Sequence, residues 1–525
     1  MTTDKPSAFE RLGASLVGLG SVLAGKALIA CGLRRPPEGW RRTLGVLLRS
    51  EPTRFALSAF GVRVSAAPAR NQHAGPPESE IADRLQAYLS NQPDAHFQLE
   101  WRDEITVRRQ TTSVDVVLLR FGDNGDLESL EPHLADARTI ALEPTLRSAV
   151  HQSIAAAYNR TRRLPEIDRT LRLRNDVDSA CSSSADGNSA REMAAYAHRL
   201  ISACSLSFES VDLSDSATRF CPPDFRARRT LGFGFLNVVM RLAADRRSAD
   251  LWVSAHHVGL DGVPLQELVA GLEQAWGTTE SVAFPPADSG RPFMEPRSCS
   301  CTGERDVDEM LMFVDFSPVF ALRDALNARH SAGVGGSITF GALLAWLLTA
   351  EAEFAGVRIA STVDVAASGG YERDVDVVPL RPADFATPGD QCRGLVAFAK
   401  EFNRLIALSR TRTSPLRQGM QTAGLLPAWA HAQAIRTNPA ALDDTFGSLC
   451  ITIVRDAKVF VAPMTDLGLG HGFFAIGSAA LPSADGRHVA AVSIKGDAGR
   501  ISGHAAVLQR VIDRSAALAK SAAGV

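Results

Sequence analysis

The chain has 525 residues, 45% hydrophobic and 22% charged, with 56 Lys+Arg against 58 Asp+Glu and a formal net charge of -2. That length divides into two or three domains, and the composition excludes a wholly disordered chain. With no basic excess, 6% aromatic residues and only four Tyr, neither an extended base-stacking surface nor a nucleic-acid partner is expected.

Taken in chain order, residues 12–33 (LGASLVGLGSVLAGKALIACGL) are an apolar run interrupted by Lys26. The run is nearly long enough to span a bilayer, but a central Lys makes insertion costly. Arg34 and Arg35 follow it rather than precede it, the wrong way round for a secretory signal. Three readings follow: a helix packed on the protein body, a helix lying on a membrane with the Arg pairs at 34–35 and 41–42 on anionic lipid, or a true span. Ala66 to Glu80, rich in Pro, Ala and polar residues, reads as a linker that closes an N-terminal extension.

From Thr106 to Phe121 the chain is β-leaning, with VDVVLLRF as a buried-strand run; residues 122–125 then make a turn. Leu127 to Ala135 reads as helical, and the polar residues 176–190 as a loop. Strands are expected around Leu231–Leu242 and Asp250–His257. Leu265, Leu268, Val269 and Leu272 then recur at helical spacing over Val263–Trp276. Residues 284–304 hold four Pro without periodicity and read as a crossover between two halves.

The second half opens with a strand near Met310–Asp315. Ser317-Pro318 starts a helix to Ala328, with Ser as N-cap and Pro at N1. A second helix covers Thr339–Ala352 and a strand Val357–Ala366. Gly333, Gly335 and Gly336 do not form a phosphate loop, because no strand precedes them and no Lys-Ser/Thr follows. Residues 409–446 read as irregular with helical pieces. Strands resume at Ser448–Val454, Val459–Val461 and Val489–Ile494, before a helix over Ala505–Ala517. The eight Cys form no CxxC pair, and Cys299 with Cys301 lacks a second ligand pair, so no metal site is expected. They read as reduced thiols in a cytoplasmic protein.

The chemistry concentrates in His256-His257-Val258-Gly259-Leu260-Asp261-Gly262, an HHxxxDG sequence between a strand and an amphipathic helix. A His at a strand end can project into a cleft, and neutral imidazole is suited to take a proton near pH 7. Asp261 supports the loop, and Gly262 permits a tight backbone and close approach of a ligand. The competing reading is a buried structural His pair at a strand–turn–helix junction.

HHxxxDG resembles the signature of the chloramphenicol-acetyltransferase-like superfamily. That group includes peptide-synthetase condensation domains, BAHD acyltransferases, wax-ester-forming acyltransferases and the catalytic domain of dihydrolipoyl acyltransferases. Three further segments resemble it. Asp497-Ala498-Gly499-Arg500-Ile501-Ser502-Gly503 looks like a degenerate second copy of the motif, with Ala498 in the place of His257, Ser502 of Asp261 and Gly503 of Gly262. Gly447-Ser448-Leu449-Cys450-Ile451-Thr452 is similar to the GTFTIS segment of the dihydrolipoyl enzymes, which makes Thr452 the hydroxyl facing the oxyanion. Asp466-Leu467-Gly468-Leu469-Gly470 is similar to the structural DFGWG segment of BAHD enzymes, with both aromatics replaced by Leu. The lipoyl, subunit-binding and adenylation modules of multidomain relatives have no counterpart in the sequence.

The resemblance covers roughly residues 100–525. It implies an α/β fold of two pseudo-duplicated subdomains, each a mixed β-sheet flanked by helices, with a central tunnel. The parts would be an extension over 1–95, a subdomain carrying HHxxxDG over 96–283, a crossover over 284–306, and a subdomain with the degenerate motif over 307–525. It further implies an acyltransferase that moves an acyl group from a thioester to a hydroxyl or amine acceptor. His257 would be the general base, with Asp261 and Thr452 in support and His256 and Gly262 shaping the loop. Asp261 in such proteins is mainly structural and pairs with an Arg. No cofactor would be bound permanently; coenzyme A or a phosphopantetheine arm would carry the acyl group. The partners implied are acyl-CoA or an acyl carrier protein and a small-molecule or lipid acceptor; peripheral membrane contact through residues 12–33 is a separate expectation from the apolar run itself, which lies outside the resemblance. The alternatives are a carrier-protein-dependent condensation enzyme of peptide or polyketide assembly, and a non-catalytic binding protein of the same fold.

Overall fold

The computed structural model describes residues 20–33, 56–65, 78–102, 105–136, 142–161, 166–185, 187–213, 223, 236–243, 248–257, 259–276, 297–301, 305–330, 337–365, 374–411, 413–427, 430, 448–454, 460–461, 472–477, 486–497 and 501–523. Residues 20–30 form helix α1, and no described helix is long and apolar enough to cross a membrane. Strand β1 (Ala56–Ser65) and helix α2 (Glu78–Ser90) follow, then a small hairpin of β2 (Phe97–Arg102) and β3 (Ile105–Gln110). Residues 66–77 of the expected linker lie outside the described residues.

In β4 (Val116–Phe121), Val116, Val117, Leu118 and Leu119 are all buried. A strand apolar on both sides must be covered on both. Val116 and Leu118 join one apolar cluster with α2, and Val117 and Leu119 join another. β5 (Leu127–His133) pairs antiparallel with β4, where the sequence suggests a helix. The turn before it closes through Gly125 N–H to the Gly122 carbonyl, with Gly125 at φ +76°, a conformation that glycine adopts without strain. The pairing register shifts between Arg120 and Phe121. That bulge lets Leu127 and Leu130 both face inward, so their three-residue spacing mimics a helix.

Helices α3 (Pro144–Thr161), α4 (Glu166–Ser184) and α5 (Gly187–Ile201) cover the second face. Residues 176–190 are therefore largely helical, not a loop. Leu173, Val177 and Cys181 form a buried stripe at four-residue spacing. Ser182 and Ser184 lie on the exposed side and donate to the carbonyls of Asp178 and Ala180. Gly187, at φ +54°, opens α5.

β6 (Cys204–Ser210), β7 (Leu236–Leu242) and β8 (Ser248–His256) complete this unit's own strands, and α6 (Gly262–Trp276) follows. The second unit runs β9 (Arg297–Cys301), β10 (Arg305–Asp315), α7 (Ser317–His330), α8 (Phe340–Thr349), β11 (Ile359–Val365), β12 (Asp374–Leu380), α9 (Gln391–Arg410), α10 (Pro415–Ala423) and β13 (Leu449–Ile453). It ends with β14 (Phe460–Val461), β15 (Gly472–Ile476), β16 (Val489–Asp497) and α11 (Ile501–Ala523). Part of 284–304 is thus the edge strand β9, and part of 409–446 is helix α10. Residues 431–447, 462–470 and 498–500, which include the DFGWG-like segment and Ala498, lie outside the described residues.

Two seven-stranded mixed sheets result, ordered β14-β1-β8-β7-β6-β4-β5 and β12-β11-β13-β15-β16-β10-β9. Reading from β5 and from β12, both show the same succession of pairings: one antiparallel, two parallel, then three antiparallel. The registers agree as well. Val116 pairs with His133 and Cys204, and its counterpart Ile359 pairs with Leu380 and Leu449. β16 begins and ends 241 residues after β8, the offset that places Ala498 on His257 in the sequence. The chain is a structural duplication.

The duplication explains β1. It is the counterpart of β10 and pairs with β8 from Ala56↔His256 to Ser65↔Ser248. The first 95 residues therefore supply a strand and a packed helix to the first unit. The seventh strand differs between units: β9 precedes its own sheet, whereas β14 reaches from the second unit to pair with β1 at Ser58↔Val461.

Candidate active site

β8 delivers the motif. Its Val253 and Ala255 face the apolar cluster of α2 and α6, so a residue at 257 continues that face. His256 takes the opposite parity and is buried. The chain then turns: the His256 carbonyl accepts from Gly259 N (2.8 Å) and Leu260 N (3.1 Å). Gly262 opens α6, and the Asp261 carbonyl accepts from Leu265 N at 3.0 Å. Pro264 sits in the first helical turn, where a missing N–H leaves no gap in the ladder.

The side chain of His257 is 15% exposed and that of Asp261 5%. His257 Nδ1 lies 3.4 Å from the Leu260 carbonyl oxygen and 3.3 Å from Asp261 Oδ1. Both neighbours are acceptors, so a proton carried on Nδ1 meets oxygen atoms there, and that tautomer of the ring leaves Nε2 as its acceptor. Asp261 thus lies beside the histidine itself, a contact that becomes an ion pair when the ring is protonated.

The second unit meets this loop with the inner face of its sheet. Cys450 and Val454 share one apolar cluster with Leu260, Val253 and Ala255, whereas Leu449 and Ile451 face the second unit's own helices. Thr452 has the parity of Cys450 and Val454, so it lies on the face turned to the first unit. It is 7% exposed. Its hydroxyl is hydrogen-bonded to that of Thr362 on β11, where Ala360 belongs to the same inner face. Register extends the row: Thr452 pairs with Ala475, and Ala475 with Ser493. Three hydroxyl residues thus occupy one line across the sheet. Thr362 and Ser493 were not singled out by sequence reasoning; the signal available was β-strand parity around Thr452.

Burial pushes the Cys450 thiol up to about 12 and raises that of Cys204 further. Neither is a ready nucleophile. Of the sequence-derived residues, His257, Asp261, His256 and Gly262 are together on one loop, and Thr452 is on the facing sheet.

No family model and no curated protein matches the sequence. Among solved structures, the chain is similar to wax ester synthase/diacylglycerol acyltransferase from Marinobacter aquaeolei VT8, at 12% identity, with 94% of this chain and 100% of that one covered and a TM-score of 0.39. It is also similar to the first condensation domain of the CDA synthetase, at 10% identity, 89% and 92% coverage and a TM-score of 0.41. A third is the condensation domain of chain release from the enacyloxin polyketide synthase, at 12% identity, 97% and 89% coverage and a TM-score of 0.40. By name, these three solved structures are a wax ester synthase/diacylglycerol acyltransferase and two condensation domains.

Proposed function

We propose that the protein is an acyltransferase that moves an acyl group from a thioester to a hydroxyl or amine acceptor. The observation that carries this reading is the polarity of His257. With two acceptors at Nδ1, its Nε2 is the basic nitrogen, at the junction where the hydroxyl row of the second sheet faces the motif loop.

His257 Nε2 takes the proton from the acceptor O–H or N–H as that atom attacks the thioester carbonyl. Asp261 stabilises the imidazolium that forms. The Thr452 hydroxyl donates to the tetrahedral oxyanion, held in line by Thr362. On collapse the C–S bond breaks, and the leaving thiolate takes the proton back from Nε2. One C–S bond is exchanged for one C–O or C–N bond, and the catalyst returns to its starting state. The donor handle is coenzyme A or a phosphopantetheine arm. Donor and acceptor approach through a channel between the units.

Thiol release from a panel of acyl-CoAs, with pooled alcohols and amines, tests this reading. Release that needs an acceptor supports it. A requirement for a carrier-protein-bound donor would make the enzyme a condensation enzyme. No release with either donor from folded protein would leave a binding protein of this fold.

A further inference from the structure

Helix α1 carries an apolar surface that the acyl-transfer reading does not use. Its Gly25 is buried against the body, and a Cβ there would come within 2.7 Å of Leu425 Cδ2. That close approach fixes which side of α1 is inward. Val22, Gly25 and Ile29 lie on it, at helical spacing. The outward side holds Leu23, Ala24, Lys26, Ala27, Leu28, Ala30 and Cys31, all exposed. Leu23 is 60% exposed, Leu28 41% and Leu33, just past the helix, 77%. The other exposed large apolar side chain among the described residues is Leu518.

The stretch of sequence that holds α1 is basic. Over residues 12–50 the sequence holds Lys26, Arg34, Arg35, Arg41, Arg42 and Arg49 against a single acid, Glu38, although the whole chain has a net charge of -2. Trp40, a residue type that settles at the lipid–water boundary, falls in the same stretch. An exposed apolar helix face with Lys26 beside it, in a basic stretch of sequence, matches one surface chemistry, acyl chains beneath anionic headgroups.

We propose that α1 docks the protein onto an anionic lipid surface, with Leu23, Leu28 and Leu33 entering the headgroup–acyl boundary and Lys26 against the headgroups. The proposal concerns binding and does not depend on the reaction. Co-sedimentation of the full chain with vesicles of phosphatidylglycerol and phosphatidylcholine, against phosphatidylcholine alone, tests it. The expected results are binding to the anionic vesicles that weakens with salt and is at least about tenfold tighter than to neutral ones. Leu23→Ser, Leu28→Ser and Leu33→Ser combined should lower the partition coefficient by about a hundredfold or more. Lys26→Glu should lower it severalfold, and Leu518→Ser should leave it unchanged. Wild-type protein that stays in the supernatant with anionic vesicles overturns the proposal. So does a triple-leucine variant that binds like wild type, or one whose only change, by light scattering, is from dimer to monomer, which assigns the face to a second copy.

Discussion

Replacing Asp261 by Asn separates the charge of that side chain from its shape. Asn keeps the volume and is as good a residue as Asp just before a helix, so the turn into α6 should survive. What disappears is the negative charge 3.3 Å from His257 Nδ1. At that separation two unit charges interact by about 5 kcal/mol for an effective dielectric of about 20. His257 is partly open to water, which reduces this to about 2–3 kcal/mol. The imidazolium exists only in the transition state and the intermediate, so the loss falls on kcat rather than on KM. Asp261→Asn should therefore lower kcat for acceptor-dependent thiol release by about thirty- to 150-fold, with a melting temperature within a few degrees of wild type. A variant within about threefold of wild type, beside an inactive His257→Ala, would refute the electrostatic role and leave Asp261 as a prop for the loop.

Thr452→Val should reduce kcat by about a hundredfold, the scale of one lost oxyanion donor, with little change in KM. Thr362→Val should show a smaller loss, and the double variant should be no worse than Thr452→Val alone, because the two hydroxyls act through one hydrogen bond. Under native conditions, iodoacetamide should label exposed Cys31 rapidly and buried Cys450 at least about a thousandfold more slowly, as read by peptide mass spectrometry. The raised Cys450 value also sets a sign. Its folded state retains the thiol proton that the unfolded chain loses near pH 9.0, so this contribution to stability is intact below that pH and declines from there to about 12. Urea midpoints across that range should fall, and less steeply in Cys450→Ala. Gly472→Ala should destabilise by about 2 kcal/mol or more, since Gly472 has φ +125° and a Cβ would sit 2.8 Å from the Lys495 carbonyl oxygen; chemical denaturation checks it.

The motif loop was legible because its information is local. A buried strand, a glycine-containing turn and a helix with Leu265, Leu268, Val269 and Leu272 inward are all written in adjacent residues. β1 was not legible, because its partner β8 lies some 190 residues away and ALSAFGVRVS alternates weakly. β5 was misread because a bulge gave its leucines a helical spacing. Residues 176–184 were misread because serines that return their hydroxyls to the helix backbone look like loop residues in one dimension. The second half of the site was half legible. Thr452 had a local resemblance, but its companions Thr362 and Ser493 are 90 and 41 positions away and meet it only through sheet register. The duplication left one trace in the sequence, the motif and its degenerate copy. The strand registers repeat it across the whole sheet, because pairing geometry persists where side-chain identity does not.

The central claim is direct, histidine-dependent transfer from a thioester to an acceptor. The measurement that tests it most directly uses acyl-CoA labelled at the carbonyl carbon, with acceptor added or withheld, for wild type and His257→Ala. Free thiol and labelled product are counted together with the mass of the intact protein. The account predicts thiol and labelled ester or amide in equal amounts only when acceptor and His257 are both present, with no acyl adduct on the protein at any time. An acyl adduct formed without acceptor, or undiminished release by His257→Ala, would contradict it.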